Sequence, residues 1–557
     1  MWGKTNSLSS LPFFPVSHTF FFYYARRGCN FAFKNARTGC TSAIQASLIA
    51  LGLHRPCSQK LAKMKKKVFF VLTVIVLSLC CLGMNSQTTP KKSYAESLFT
   101  LGEIALVEIN MPDSTWKAII EHVRDKQYHV CSVTINEERF DSVAIRTKGA
   151  CSLDDVTNMK SDRYSFTLKL NKYRKGQKYH GMTKLLLNNN IWDATQMKDA
   201  VVYDMCRYIG LPAPLTNYAK ISLNGKYFGC YLMVEAVDKH FCKRNYPDEK
   251  TNIYKPYHNL AYMGEDMKNY ADISNFAKVR GDEASMQRVV AALKSVDEGK
   301  DIEKHIDIES VMKYMALQTI VVNYDCMTGK NTQNYYLREA DGKICLIPWD
   351  YNLAWGGYPD EGGDFEGFVD FDPEKWKTWF DSLRQEQRDS MQQAFSLQWS
   401  NMPMGDGGDA EFNKEAARQI VNFPIDTPFS GKLSGRTFFM NLLANETYKA
   451  RYYHYLNMLC NKYIKGGGFK KTVATIDKEI GSFVGTEANA FYSNKRFHEA
   501  MQTFNTLLQK RAASVLGQIN GSIPSTWDTQ KAEPEKLINS DDIVLSDLGG
   551  LMVMENK

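Results

Sequence analysis

The feature that most constrains the fold is a change of hydrophobic period part-way along the chain. In Ile104 to Ile109, Cys131 to Ile135, Ser142 to Arg146 and Tyr164 to Leu170, apolar and polar residues alternate, the period of a half-buried strand. Ala219–Leu223 and Tyr227–Glu235 flank Asn224-Gly225, the strongest short signal for a tight hairpin. A helix is expected from Asp193 to Ile209, capped by Asp193 and ended by Gly210 before Pro212. From about residue 302 apolar positions return at helical spacing, over Ile308 to Tyr324, Trp376 to Ser400, Thr437 to Ile464 and Phe497 to Ile519. The expected fold class is α+β, with a sheet wet on one face followed by an α-rich part.

Charge first suggests nucleic acid, then excludes it. The chain carries +8, yet residues 1–86 hold eleven Lys and Arg and no carboxylate, so +8 − 11 leaves −3 for the remainder. The basicity belongs to a leader and not to a binding face. From Met64 that leader has the pattern of a signal peptide: Lys65-Lys66-Lys67, an apolar run from Val68 to Leu82, and Gly83 or Ser86 for cleavage. The run is short of the roughly 20 residues a spanning helix needs, so export with cleavage is expected. Membrane attachment would come only through the leader or a lipid on Cys80 or Cys81. Residues 1–63 fit neither a domain nor a leader and read as an upstream, spurious start.

Of thirteen cysteines, the eight from Cys131 to Cys460 contain no CxxC pair, which argues against zinc-finger and thioredoxin-like readings. Gln87 to Ala95 reads as the start of a linker running to residue 99. Glycine and carboxylate content around Gly356-Gly357, Gly362-Gly363 and Met404 to Gly408 suggests mobile loops near a site. Glu533 to Lys557 shows no period and is expected to fray.

The chemistry-bearing constellation lies mid-chain. Asn323-Tyr324-Asp325 is followed by Asn334-Tyr335-Tyr336-Leu337 and by an apolar run ending in Pro348-Trp349-Asp350. Two carboxylates at element ends with a carboxamide between them suit a hard divalent cation and phosphate oxygens. A carboxylate at a helix C-terminus also opposes the macrodipole, so a purely structural Asp325 is less comfortable. Asp350 alone reads as a turn residue, Lys169 alone as a solvated strand residue, and Glu235 alone as an ion-pair carboxylate.

In order along the chain, Arg146-Thr147-Lys148-Gly149, Phe166 to Lys169, Leu185 to Asn188, Asn224 to Gly229, Glu235, Asn252 to Lys255, Asp325, Asn334-Tyr335-Tyr336 and Pro348-Trp349-Asp350 resemble the CotH family. That family comprises spore-coat proteins and secreted relatives similar to atypical protein kinases. The resemblance covers roughly residues 100–520. It implies a two-lobed kinase-like fold, β-rich over about 100–257 and α-rich over about 258–520, with a tail from 521 to 557. It also implies transfer of the ATP γ-phosphoryl group to Ser or Thr hydroxyls of a protein substrate, with Mg2+ or Mn2+.

Carried over by residue, the resemblance makes Asp325 the catalytic carboxylate and Asp350 a metal ligand. Asn334 or Asn331 would give the metal a carboxamide oxygen. Lys169 would steady phosphates, Arg146 and Lys148 would add positive charge, and Glu235 would hold a basic residue or lie near the nucleotide. Two departures stand out. Family members often read Arg-Gly-Asn-Ser-Ser where this chain has the longer Arg146-Thr147-Lys148-Gly149-Ala150-Cys151-Ser152, and Asn352 replaces a common second aspartate. A catalytically silent binding or assembly module is the rival reading.

Overall fold

Residues 92–247, 250–274, 278–280, 282–329, 332–358, 410–429 and 437–550 are described by a computed structural model of the chain. The leader, Asn331, the stretch Trp376 to Ser400 and the glycine run Met404 to Gly408 lie outside the described residues.

After helix α1 (Tyr94–Leu98), alternation produces strands β1 (Ala105–Asn110), β2 (His129–Ile135) and β3 (Glu138–Lys148), with α2 (Asp113–Glu121) between β1 and β2. Next come α3 (Cys151–Asn158), β4 (Ser165–Lys169), β5 (Lys184–Asn188), α4 (Lys198–Tyr208), β6 (Thr216–Leu223) and β7 (Lys226–Glu235). The seven strands close into a barrel in the order β1-β2-β3-β4-β5-β7-β6. Closure comes from β1 lying parallel to β6, Val107 opposite Ile221, and it leaves no sheet edge exposed. The hairpin turn is as expected, with Asn224 at φ 49° and Gly225 at φ 77°, the left-handed pair of a type I′ turn.

Inward-facing Val133, Ile145, Phe166, Leu168, Leu187 and Met233 fill the barrel. The sheet therefore differs from the expected one with a wet face, because part of the outer wall is dry as well. Leu186, Cys230, Leu232 and Val234 point outward and join a second core with the helices that follow.

Those helices begin with α5 (Lys239–Asn245), followed by strands β8 (Asn252–Tyr254) and β9 (Lys278–Arg280) and by α6 (Glu283–Asp297). Helix α7 (Ile308–Val321) is buried at twelve of its fourteen positions, the condition of a helix apolar on all sides. Strands β10 (Tyr335–Ala340) and β11 (Lys343–Pro348) then form a hairpin, and the second sheet is ordered β11-β10-β8-β9. Strands thus continue past residue 257. Further helices are α8 (Ala410–Asn422), α9 (Thr437–Leu443), α10 (Glu446–Asn457), α11 (Gly468–Ile480) and α12 (Asn494–Ile519).

Lys91–Lys557 forms one compact unit, a mixed fold of helix and strand. In two segments expected to be loose, the described residues are ordered. Ser93 caps α1 in a reciprocal capping box with Glu96, inside the expected linker. The tail returns to the body: Ile543 and Leu548 are fully buried, and Arg496 of α12 pairs with Asp547 at 2.8 Å. The eight cysteines from Cys131 to Cys460 are free thiols, and no helix among the described residues is long and apolar enough to cross a membrane.

Candidate active site

Helix α7 ends in Val322, left-handed at φ 43°. A β-branched residue seldom adopts that conformation and is held there at a cost of order 1–3 kcal/mol. Trp355 secures the helix end. Its backbone N–H donates to the Val321 and Val322 carbonyls at 3.0 and 3.3 Å, and its indole N–H donates to Ile320 O at 3.2 Å, satisfying carbonyls a helix terminus leaves open.

The chain then presents Asn323 and Asp325. The buried Asn323 carboxamide accepts from the Asp325 N–H at 3.1 Å and donates to the Asp350 carbonyl at 3.3 Å. The Asp325 carboxylate accepts from Gln333 Nε2 at 2.6 Å and from Asn334 Nδ2 at 2.8 Å, and Asn334 also donates to the Asp325 carbonyl at 2.8 Å. Asn334 therefore turns its NH2 group to Asp325 and its oxygen away. The loop between them is tight enough that a Cβ on Gly329 would lie 1.8 Å from Tyr324 O.

The β10–β11 hairpin, with Tyr335 opposite Pro348, carries Asp350 to the same place. Asp350 sits at φ 63°, a conformation aspartate tolerates better than most residues. Its N–H donates to Tyr203 Oη at 3.1 Å, and the next N–H, of Tyr351, donates to Asp199 Oδ1 at 2.7 Å. Asp199 and Tyr203 are one turn apart on α4, so one helix face fixes two consecutive peptide units.

Two lysines share the field of these carboxylates. Lys148, the last residue of β3, donates from Nζ to the Asn188 carboxamide. Burial pushes its pKa down, with Asp350 and Asp199 pulling it back up and Lys255 adding to the depression. Lys255 lies 5.8 Å from the Tyr336 ring and 5.7 Å from the Trp349 ring. Its pKa is also pushed down by burial, against the pull of Asp350 and Asp325. Burial lifts Asp199 to about 7, and the Asp350 charge adds to the rise. Helix α3 starts beside the cluster: burial raises the Cys151 thiol, with Asp155, Asp154 and then Asp325 adding to it.

Residues 145–515 match the CotH kinase protein family, most of the chain. The chain is a member of the CotH family. It is also 23% identical over 243 residues to the inner spore coat protein H of Bacillus subtilis (strain 168), a match spanning 40% of this chain and 61% of that protein. Two solved structures resemble it more remotely. The Helicobacter pylori proinflammatory kinase CtkA is 12% identical, with coverage of 62% of this chain and 93% of that one at a TM-score of 0.27. The Shewanella oneidensis MR-1 HipA, HipB and operator DNA complex is 12% identical, with coverage of 64% and 74% at a TM-score of 0.19. Scores of that size define no shared fold.

Within this CotH chain, Asp325, Asn334, Asp350 and Lys148 come together, and Lys169 does not join them. In the β3–β4 pairing Lys148 faces Ser165, while Lys169 faces Ala144, four residues or about 13 Å further along the strand. The Arg146 guanidinium stacks on Tyr128 at 5.1 Å. Glu235 is enclosed in a structural ion pair: Arg244 donates to both of its oxygens, at 3.1 and 2.5 Å, and Tyr94 Oη and the Leu215 N–H donate as well. Asn331 lies outside the described residues. Sequence reading passed over Lys255, Gln333, Asp199 and Tyr203. The signal for Asp199 was present in Lys198-Asp199, two charges within an apolar helical stretch.

For a divalent cation the donor set fits. No hydrogen bond reaches the Asp350 carboxylate oxygens among the described residues, the Asn334 oxygen is turned away from Asp325, and both are the hard oxygen donors such ions select. Among the described residues no three His, Cys, Asp or Glu side chains cluster as a metal site of their own.

Proposed function

We propose that this CotH protein is an exported kinase that transfers the γ-phosphoryl group of ATP to a Ser or Thr hydroxyl of an envelope or surface protein. The barrel would serve as the first lobe of a kinase-like pair and the helical part as the second. The observation that carries the reading is the tie between Asp325 and Asp350 through Asn323, with Lys148 and Lys255 in their field. Phosphoryl transfer has a loose, charge-rich transition state, so catalysis is mostly positioning and neutralisation.

Asp325 would orient the acceptor hydroxyl and take its proton, with Gln333 and Asn334 holding its carboxylate in place. Asp350 and the Asn334 oxygen would hold magnesium or manganese. Bound there, the ion neutralises charge on the transferring phosphate. Lys148 supplies a cation on the barrel side, and Lys255 supplies one from the second sheet. The first turn of α3 offers backbone N–H groups for a phosphate, as helix N-termini do; Ala150 before it makes no side-chain cap bond. Export rests on the leader pattern from Met64.

One observation favours the silent reading. Amides already engage both Asp325 oxygens, so a hydroxyl would share the carboxylate with two donors that weaken it as a base. The test is transfer of labelled γ-phosphate from ATP with Mg2+ or Mn2+, to the protein itself and to a generic acceptor, comparing the unaltered chain with Asp325→Ala and Asp350→Ala. Labelling abolished by either change assigns the two carboxylates. No labelling and no metal-dependent nucleotide binding in the unaltered chain leaves the binding module.

A further inference from the structure

One short stretch of the folded part is strongly basic. Residues 169–184, the β4–β5 connection with its flanking strand ends, hold Lys169, Lys172, Arg174, Lys175, Lys178 and Lys184 and no carboxylate, in a chain that is net acidic beyond residue 86. Helix α5 brings more. Lys178 with Lys239, His240 and Lys243 lines a cavity of about 560 Å³, together with Asn171 and Thr183, and no carboxylate among the described residues lines it.

The neighbouring acids have partners of their own. Asp238 pairs with Lys184 at 3.7 Å and accepts from the His240 N–H at 2.8 Å as the cap of α5, and Glu138 bonds His180. Lys178, Lys239 and Lys243 form no ion pair among the described residues. The Asn171 carboxamide oxygen is buried without a hydrogen-bond partner among the described residues, and the His240 Nε2 meets Thr183 Oγ1 at 3.0 Å. The Asn171 oxygen and three ammonium groups outside any ion pair leave hydrogen-bonding capacity for something that enters. A concave wall of one charge sign focuses field and raises the local concentration of the opposite charge. The cavity lies beyond Lys169, at the end of β4 remote from Lys148, and is separate from the Asp325–Asp350 cluster.

We propose that this cavity is a docking site for an Asp- and Glu-rich segment of the protein acceptor. A recessed basic cavity beside a hairpin suits an extended acidic chain, whose carboxylates would reach Lys178, Lys239 and Lys243 in turn. The identification of the occupant as an acceptor rests on the kinase reading, whereas the binding itself does not. Lys169 acquires a place as part of the basic approach to this site.

The test is fluorescence anisotropy with the full chain and a labelled Asp- and Glu-rich peptide carrying one Ser, against the same peptide in Asn and Gln. The variant is Lys178→Gln, Lys239→Gln and Lys243→Gln combined; all three side chains are exposed, and a thermal melt checks the fold. The acidic peptide is expected to bind and the neutral one not. Added salt should weaken binding, the triple variant should lose it about tenfold or more, and Asp325→Ala should keep it. In the transfer assay the triple variant is expected to raise KM for the acidic acceptor and leave kcat unchanged. Equal binding of the two peptides, or undiminished binding by the triple variant, overturns the proposal. So does lysine-dependent binding to phosphatidylglycerol vesicles with no peptide binding, which assigns the face to a membrane. An unaltered chain that binds the acidic peptide and transfers no phosphate overturns the kinase reading and upholds the docking site.

Discussion

The backbones of Asp325 and Asp350 are joined through one buried side chain, the carboxamide of Asn323, which accepts from the first at 3.1 Å and donates to the second at 3.3 Å. Asn323→Leu keeps the volume and removes both bonds. It should cost about 1–3 kcal/mol, the penalty for leaving buried backbone groups unpartnered, and abolish the thermal shift produced by ATP with magnesium. Melts with and without nucleotide test this, and an unchanged melting temperature with an unchanged nucleotide shift refutes it.

Tyr203 and Asp199 act through the peptide units they hold. Tyr203→Phe keeps the ring and removes the acceptor for the Asp350 N–H, which should cost about 1 kcal/mol of stability and slow transfer. Combined with Asp350→Ala it should lower transfer no further, because residues acting through one group are non-additive. Single-turnover rates for the two single variants and the double variant decide it. Additive losses would show that Tyr203 acts on its own.

Much of this arrangement was legible in the sequence because it is local. The Asn224-Gly225 turn, α7 and the two aspartates at element ends follow from period and turn chemistry. Barrel closure was hidden, since alternation states that a strand is half-buried and not which strand it joins; β1 and β6 are more than a hundred residues apart. Lys148 and Lys169 both sit on the outward face of adjacent strands, and only register shows which one reaches Asp350. Glu235 meets Arg244 nine residues on, a pair that exists only after α5 folds back. The tail was expected to fray because it lacks a period, but it lies on α8 and α12 held by single contacts such as Asn413 Nδ2 to Ile543 O at 3.0 Å, which need none.

Glu479 on α11 gives the fold a pH dependence away from the site. Burial raises its pKa from 4.5 to about 7, against a bond from the Gly102 N–H, and its Oε1 has no partner among the described residues. An acid whose folded pKa is raised holds a proton in the folded state that the unfolded chain has released. Stability from this group is therefore present below about 4.5 and lost as pH rises to about 7. Glu479→Gln should flatten the stability curve over that window and leave the protein more stable than the unaltered chain at pH 8. Denaturant midpoints across the window test it, and a variant with an unchanged slope removes Glu479 as the cause.

Two lysines compete for the phosphate role, and geometry assigns it to the one nearer the carboxylates. Lys148 has Asp350 and Asp199 in its field and is held by Asn188, whereas Lys169 is about 13 Å further along the barrel wall. Lys148→Met keeps the aliphatic stem and removes the charge. It should weaken metal-dependent ATP binding by tenfold or more, in line with the roughly 1.5–3 kcal/mol of a hydrogen bond to a charged group. Lys169→Met should leave ATP affinity within about twofold and weaken binding of an acidic peptide. Calorimetric titration of both variants with the same nucleotide separates them. A larger loss at Lys169 than at Lys148 would move the nucleotide to the other end of the barrel and with it the assignment of Asp350.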